Sequence, residues 1–240
     1  DGLGTQIQLP APAQRVVSLS PGNTEILFAV GAGAQVVGRD TFSDYPAEAR
    51  AIPDIGGGFS ELNTEVIVSL KPDLVLGSML APPEQIKALQ DLGLTVFTVA
   101  NPTDYPGMFE SLRTIALLTG HTAQAEQLIL ELDQRVKKIA EKISQVSKRP
   151  LVFYELDGTD PNSPWTPGPG SFVGMIIELA GGENLGASLE SEWAQISIEE
   201  LIAQNPDIIL IGDATWGGVT LDEVKNRSGW DTLTAIESGR

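Results

Sequence analysis

The stretch SIEELIAQNPDIILIG, residues 197–212, closely repeats NTEVIVSLKPDLVLG, residues 63–77. Each stretch has the pattern of a short helix with an acid near its start, a turn ending in Pro-Asp, and an aliphatic strand. Unbroken aliphatic runs are typical of parallel strands that are covered on both faces. The repeat predicts two similar α/β lobes, one in each half of the chain. The alternative is coincidence, because helix, turn and buried strand recur in many α/β proteins.

Between the two copies lies a segment, Thr122 to Ser147, without proline or glycine. Its apolar residues recur every three or four positions, which is the period of one helix face: they are Ala125, Leu128, Leu132, Val136, Ile139, Ile143 and Val146. We predict a long rigid helix over 121–148 that joins an N-terminal lobe, 1–120, to a C-terminal lobe, 149–240. Each lobe should hold a small, mostly parallel sheet with flanking helices, and a ligand cleft should lie between the lobes. The alternative is a long surface helix packed on a single sheet.

Composition narrows the classes of function. The chain has 240 residues and a net charge of −17, and it has no cysteine and a single histidine, His121. The acidity disfavours nucleic-acid binding, and the lack of cysteine excludes disulfides and thiol catalysis. One histidine cannot build a cage of several imidazoles, and no catalytic motif is present, so we predict no catalytic residue, metal site or cofactor. No signal peptide or membrane-spanning run is visible, which suits a cytosolic protein or the mature part of an exported one.

Aromatic residues gather in loops near strand ends or helix starts: Phe42, Phe59, Trp165, Trp193 and Trp216. Ligands of open parallel sheets bind outside the carboxyl ends of the strands, so these rings could stack on a large flat ligand. Each ring could instead pack against its own lobe. Glu65 and Glu199 occupy matching places in the first turns of their helices, where the helix dipole favours an acid. They could also form two equivalent docking points.

The order and spacing of several motifs resemble one family. The segments SDYP, SLKPDLVLGS, LAGGENLG and ISIEELIAQNPDIILIGD are similar to those of the substrate-binding proteins of ABC importers for cobalamin, iron-siderophores or haem. In that group one rigid helix joins two lobes. TFSDYP together with NTEVIVSLKPDLV is most similar to the cobalamin-binding members. The resemblance implies an extracytoplasmic protein that captures a corrinoid between its lobes and delivers it to the permease dimer of an ABC transporter.

The resemblance also implies roles for individual residues. Four aromatic residues match cleft positions of the cobalamin carriers: Phe42, Phe59, Trp165 and Trp193. A segment that approaches the ligand with its backbone matches Pro21, Gly22 and Asn23. Glu65 and Glu199 match the acids that engage permease arginines. We add Trp216 because it follows the last visible strand.

Other expectations concern cargo and completeness. A haem carrier would need an axial ligand, for which the donors are Tyr45, Tyr105, Tyr154 and His121. A siderophore carrier would need a cation, and Arg39 is the basic residue near the first-lobe loops. Ser78 replaces a cleft aromatic of the cobalamin carriers. Relatives continue beyond IESGR, so we expect the C-terminal lobe to lack a final strand and helix.

We also expect a monomer in the periplasm or another extracytoplasmic space, with or without a lipid anchor. A rival from a different class is an α/β enzyme with its site between the lobes, and a third class is a structural or adhesion module.

Overall fold

The computed structural model describes residues 1–58 and 60–240, so the predicted site residue Phe59 lies outside the described residues. The chain forms two compact units, Asp1–Asp133 and Gln134–Arg240. Each unit holds parallel strands and helices, as the repeat predicts. The α/β class and the presence of two lobes are therefore confirmed.

The first unit is built on a four-stranded sheet in which every pairing is parallel. Its strand order is β2-β1-β3-β4. The strands are β1 (Val16–Ser18), β2 (Val36–Arg39), β3 (Leu74–Ser78) and β4 (Val96–Val99). Aliphatic residues dominate all four strands because the sheet is covered on both faces.

Helices cover the two faces of this sheet. They are α1 (Pro21–Ala29), α2 (Thr64–Ser69), α3 (Pro83–Asp91), α4 (Tyr105–Thr119) and the first half of α5 (Thr122–Ile143). Successive residues of a strand point to opposite faces. Val16 and Leu74 therefore pack in a cluster with residues of α1, α4 and α5. Val17 and Val75 pack on the other face with residues of α2 and α3.

The second unit contains a three-stranded parallel sheet and a separate two-stranded antiparallel ribbon. The sheet has the order β7-β5-β9, and the ribbon pairs β6 with β8. The strands are β5 (Leu151–Glu155), β6 (Trp165–Pro167), β7 (Glu183–Asn184), β8 (Trp193–Gln195) and β9 (Ile208–Ile211). The helices are α6 (Phe172–Leu179), α7 (Ile198–Gln204), α8 (Leu221–Lys225) and α9 (Thr234–Ser238). In the core, Phe153 meets Trp230 edge to face, with ring centroids 6.0 Å apart.

Helix α5 is shorter than the predicted segment. It has 22 residues and ends at Ile143, so positions 144–148 of the predicted linking helix are not helical. The Ser144 hydroxyl donates to the Glu141 carbonyl at 2.8 Å, and the Val146 N–H donates to the Ile143 carbonyl at 2.9 Å. A serine hydroxyl competes with the helical backbone pattern, and this turn closes the helix.

Within the described ranges, no helix combines the length and apolarity needed to cross a bilayer.

The two repeated stretches adopt the same local structure. Asn63 caps α2, and Ser197 caps α7, each through a side-chain oxygen that accepts a backbone N–H. A left-handed residue follows each helix: Lys71, with φ 48°, comes two residues after α2, and Asn205, with φ 52°, comes directly after α7. Among the described residues these are the two non-glycine residues with positive φ. Such a conformation is uncommon outside glycine, so its recurrence at matching positions favours a true repeat over coincidence.

The aspartate of each stretch binds a neighbouring strand. The Asp73 carboxylate accepts the backbone N–H groups of Gln14 at 2.8 Å and Arg15 at 3.0 Å, just before β1. The Asp207 carboxylate accepts the N–H of Leu151, the first residue of β5, at 2.9 Å. Since β3 pairs with β1 and β9 pairs with β5, the aspartate of each stretch fastens its own strand to the neighbouring strand of the same sheet.

Candidate ligand-binding site

The carboxyl ends of three strands in the first unit open into a pocket of about 400 Å³. Leu19, Asp40 and Ser78 mark the ends of β1, β2 and β3. The pocket is lined by Leu19, Ser20, Pro21, Asp40, Phe42, Gly57, Gly58, Leu62, Ser78, Leu80, Ala81, Pro82 and Gln85. This is the edge at which parallel sheets bind ligands, and it contains the predicted residues Pro21 and Phe42.

Phe42 presents a half-exposed ring on the loop that follows β2. One side of the ring packs against Gly58, where a Cβ atom would collide with it. Gly58 also has a φ of +66°, a conformation that favours glycine. The glycine at position 58 therefore lets the backbone approach the Phe42 ring closely. The exposed part of the ring is accessible to a ligand.

A chain of buried hydroxyl groups holds the Phe42 loop in place. The Asp40 carboxylate accepts the Ser43 hydroxyl and, at 3.2 Å, the Phe42 N–H. The Ser43 and Thr24 hydroxyls lie 2.8 Å apart, and the Thr24 hydroxyl donates to Ser18 Oγ at 2.8 Å. Burial raises the pKa of Asp40 above its ordinary value, although the bond from Ser43 opposes this change. The network joins the loop after β2 to α1 and the end of β1.

The start of α1 forms a second wall of the pocket. Ser20 caps the helix, and Pro21 occupies its first turn, as is favoured for proline. Pro21 and Gly22 are exposed, whereas Asn23 is buried. The Asn23 side-chain amide donates to the Gly77 carbonyl at 2.9 Å. Its side chain therefore binds α1 to β3, and Pro21 and Gly22 remain the surface of this segment.

A second pocket of about 320 Å³ adjoins the first and shares Ser20, Pro21, Ser78 and Leu80 with it. It also includes Gly22 and Asn23 and continues to Asn101, Pro102 and Met108 beyond the end of β4. Leu80 is 84% exposed. Our sequence analysis missed these further residues, although those at 80, 101 and 102 follow the aliphatic strands at their carboxyl ends. Among the described lining residues of both pockets, Asp40 alone has an acidic side chain and none has a basic one.

Arg39, the candidate cation near these loops, is already engaged. Its Nη1 donates to the carbonyls of Asp40 at 2.8 Å and Thr41 at 3.0 Å, and its Nε donates to the Ala49 carbonyl at 3.2 Å. The guanidinium also lies 3.6 Å from the Asp54 carboxylate. Arg39 therefore fastens the loop after β2 and does not line either pocket.

In the second unit, the ribbon of β6 and β8 brings Trp165 and Trp193 together. Trp165 lies opposite Gln195, and Trp193 lies opposite Pro167. Directly opposed residues and residues two apart share one face of an antiparallel pair, so the two indoles are diagonal neighbours on one face. They are 40% and 38% exposed, which leaves substantial aromatic surface in contact with solvent.

Trp216 lies in the turn after β9 and is 66% exposed. The Gly217 N–H donates to the Asp213 carbonyl at 2.7 Å within this turn. The buried Asp213 carboxylate accepts the Gly158 N–H at 2.8 Å, which ties the turn to the loop between β5 and β6. Trp216 is therefore placed at the carboxyl edge of the second sheet, as its position after a strand predicts.

A buried ionic cluster underlies these loops. Glu155, the last residue of β5, pairs with Arg227, whose guanidinium is 3.7 Å from Glu223 and 4.7 Å from the Trp230 ring centroid. Burial raises the pKa of Glu155, Arg227 opposes the change, and the Asp213 charge adds to it. Sequence analysis missed this cluster. The available signal was Glu155, an acid at the end of the otherwise apolar strand LVFYE.

The two predicted docking acids are both exposed. Glu65 lies on α2 and Glu199 lies on α7, each in the first helical turn. At matching positions further along, Ile67 and Leu201 are fully buried. Exposed Val68 and Ile202 follow them, one turn beyond the acids. The buried pair serves the core, and the partly exposed Ile202 side chain approaches Gly229, whereas the two acids have no evident role in packing.

Comparison with known proteins places this geometry in a family. The family model described as periplasmic binding protein matches residues 16–240. A Bacillus subtilis protein named as an uncharacterized ABC transporter substrate-binding lipoprotein, YvrC, is 33% identical over 100% of this chain and 75% of its own length. A cobalamin-binding protein of Halobacterium salinarum is 35% identical over 88% of this chain, and the match spans 57% of that relative.

A solved structure shows the same fold. The periplasmic haem-binding protein RhuT of Roseiflexus sp. RS-1, in its apo form, superposes with a TM-score of 0.83 and 29% sequence identity. The match covers 95% of this chain and 88% of that one. With parallel sheets in two units and a family match over nearly its whole length, the chain belongs to the periplasmic binding protein family, which consists of solute-binding proteins and not of enzymes.

Proposed function

We propose that this protein is the extracytoplasmic binding protein of an ABC importer and that its cargo is a corrinoid such as cobalamin. The cobalamin-binding relative from Halobacterium salinarum supports this cargo. The observation that carries the proposal is the chemistry of the first-unit pockets, whose described lining has no basic side chain and one acidic side chain, the buried Asp40.

Charge distinguishes the corrinoid from its rivals. Cobalamin carries neutral carboxamide groups on its ring, whereas haem carries two propionates and many ferric siderophores are anionic chelates. The described lining of both pockets contains no Lys, Arg or His, so it offers an anion no cationic partner, and its serine and asparagine oxygens can accept N–H donors. Arg39 is engaged with backbone carbonyls and Asp54. The described pocket residues thus favour a neutral ligand that carries amides.

Haem is the second candidate, because the structurally similar RhuT is named a haem-binding protein. The axial donors predicted from the sequence in the first unit are Tyr45, Tyr105 and His121, and none of these three lines the two described pockets. His121 comes just before α5, and its Nδ1 lies 3.0 Å from the carbonyl oxygen of Thr119, the last residue of α4. In the second unit, the Tyr154 ring packs against Gly212, where there is no space for a side chain. These contacts favour the corrinoid over haem.

The exposed aromatic rings supply stacking surface in this proposal. Phe42 in the first unit, and Trp165 and Trp193 in the second, contact the cargo. Aromatic pairs contribute about 0.5–1.5 kcal/mol beyond the area that they bury. The backbone of Pro21 and Gly22 and the exposed Trp216 indole provide further contact, and we retain Phe59 as a predicted cargo contact.

We also propose that Glu65 and Glu199 dock the protein on its permease. The Pro-Asp turn and the buried Ile67 and Leu201 of the repeat have structural roles, but the exposed acids have none beyond the helix dipole. A partner that binds both acids must offer two equivalent cationic sites. A permease dimer meets that requirement. Val68 and Ile202 would then add apolar contact beside each charged pair.

Location follows from the same role. A binding protein that feeds an importer acts outside the cytoplasm, in the periplasm or on the outer face of the membrane. The Bacillus subtilis relative is named a lipoprotein, and we propose that this protein is a monomer with or without a lipid anchor.

Titration tests the cargo. The protein is titrated with cyanocobalamin, haemin and a ferric siderophore, and binding is followed by tryptophan fluorescence and calorimetry. All four tryptophans lie in the second unit, so quenching reports contact with that unit. We expect saturable one-to-one binding of cyanocobalamin. One-to-one binding of haemin without cyanocobalamin binding would refute the corrinoid assignment.

Matched variants test the aromatic contacts. Trp165→Ala and Trp193→Ala should each weaken cyanocobalamin binding about tenfold, which corresponds to about 1.4 kcal/mol. Leu117→Ala, which shortens an exposed side chain on α4, serves as the control and should bind normally. Unchanged affinity in both tryptophan variants would remove the ribbon from the site.

A further inference from the structure

Positive charge is concentrated in one short segment of this acidic protein. Positions 135 to 149 contain six of the 15 basic residues and one of the 32 acidic residues. The segment begins in the second half of α5 and continues past its end at Ile143. The rest of the chain is correspondingly more acidic than the net charge of −17 suggests.

Five exposed cations follow one another along this segment, and we call them together the basic face: Arg135, Lys138, Lys142, Lys148 and Arg149. All five are exposed, and none is in an ion pair with another described residue. The first three are spaced by three and four residues, so they project from the same side of the helix. The other two follow in the connection to β5.

Apolar side chains accompany the charges. Ile139 lies on the flank of the basic face and is 49% exposed, and Val146 lies between Lys142 and Lys148 and is 54% exposed. Cations mixed with exposed aliphatic residues are typical of segments that lie at a membrane surface.

The helix dipole does not account for the basic face. Cations are favoured in the last turn of a helix, and the effect falls off within that turn. Lys142 alone belongs to the last turn of α5. Arg135 and Lys138 lie further from the end, and Lys148 and Arg149 lie beyond it. Four of the five cations therefore need another explanation.

We infer that the basic face is a docking surface for the anionic lipid headgroups of a membrane. The rest of the protein is acidic and is repelled by an anionic bilayer. The basic face therefore determines which side of the protein faces the bilayer. Each Lys or Arg near such a surface strengthens partitioning about fivefold. Exposed cations with exposed aliphatic neighbours suit a lipid surface, and Arg149 alone among the five also lines a cavity, beside Glu178 and Glu183. The inference is independent of the cargo.

Sedimentation with lipid vesicles tests this inference. The full chain is mixed with vesicles of phosphatidylglycerol or of phosphatidylcholine at low and high salt. We expect binding to phosphatidylglycerol at low salt, little binding to phosphatidylcholine, and release as salt screens the charges. The variant Arg135→Gln/Lys138→Gln/Lys142→Gln should bind phosphatidylglycerol at least about tenfold more weakly. Glutamine is a good helix former, so circular dichroism should show an intact fold.

The control removes the same charge elsewhere. The variant Arg50→Gln/Lys87→Gln/Lys225→Gln replaces three exposed cations outside the basic face. It should bind phosphatidylglycerol vesicles as strongly as the unsubstituted parent chain does. Absence of binding by the parent chain at low salt would overturn the inference, as would equal binding by the two triple variants. Soluble polyglutamate is the probe for an acidic protein partner. If it binds through the basic face while phosphatidylglycerol vesicles do not, the membrane assignment is wrong.

Discussion

Arg227→Met should destabilise the second unit strongly, because it leaves the Glu155 carboxylate buried without its cation. The side chains of Arg227 and Glu155 are 4% and 0% exposed, so water screens this pair very little. Removing one partner of a buried pair typically costs about 3–5 kcal/mol. Whole domains are stable by about 5–15 kcal/mol, so the expected loss is a large fraction of the total.

The loss should depend on pH. Burial already raises the pKa of Glu155 above its ordinary value of 4.5 in the folded protein, and removal of the guanidinium raises it further. A carboxyl group with a raised folded-state pKa contributes stability at low pH, and that contribution is lost as pH rises through the folded-state pKa. The variant should therefore be less destabilised at acidic pH, where protonation removes the unpaired Glu155 charge, than near pH 8.

Urea unfolding followed by tryptophan fluorescence measures this effect in the right place, because all four tryptophans lie in the second unit. Lys225→Met, an exposed change on the neighbouring α8, is the control and should stay within about 0.5 kcal/mol of the parent chain. Glu155→Leu/Arg227→Met removes both charges and should recover most of the stability. A loss below about 1 kcal/mol near pH 8, or a loss that does not change with pH, would refute the reasoning.

Two further predictions concern the repeat. Glu65→Ala and Glu199→Ala should leave cyanocobalamin affinity unchanged but lower uptake into proteoliposomes that contain the cognate permease; a loss of cargo affinity would contradict a docking role. Asp73→Ala should cost about 2 kcal/mol and Asp207→Ala about 1 kcal/mol, because Asp73 accepts two backbone N–H groups from the adjoining segment and Asp207 accepts one. Circular dichroism melting compares these two variants, and equal losses would show that the clamp bonds do not set the difference.

Local patterns in the sequence were sufficient to predict the helices and strands of the repeat. Helix α2, its turn and β3 are contiguous, so their signals lie within one short window. The ribbon could not be predicted in the same way. Each of its strands has three residues, and β6 pairs with β8 across an intervening helix and strand. The ion pair of Glu155 and Arg227 likewise joins residues 72 positions apart.

For the site, the rule that ligands bind at the carboxyl edge of a parallel sheet was enough to select Phe42, whereas Pro21 was selected by the family resemblance. It could not show that Arg39 would be engaged by backbone carbonyls, because those partners come from the folded loop. Nor could it identify Met108, which reaches the second pocket from α4. The position of Arg39 in the sequence made it the candidate cation near the ligand loops, and only the folded contacts showed that it does not line the described pockets.

The two aspartate clamps have a consequence for how the chain folds. Asp73 joins residues 58 and 59 positions earlier, and Asp207 joins one 56 positions earlier. Loop-closure entropy grows with the logarithm of loop length. The pairing of β1 with β3 and the pairing of β5 with β9 therefore have nearly equal entropic costs. Contacts this distant in sequence slow folding. During synthesis, the first sheet can join its central strands once Asp73 is available, whereas the second must wait for Asp207. The repeat therefore sets two successive folding events of similar difficulty along one polypeptide.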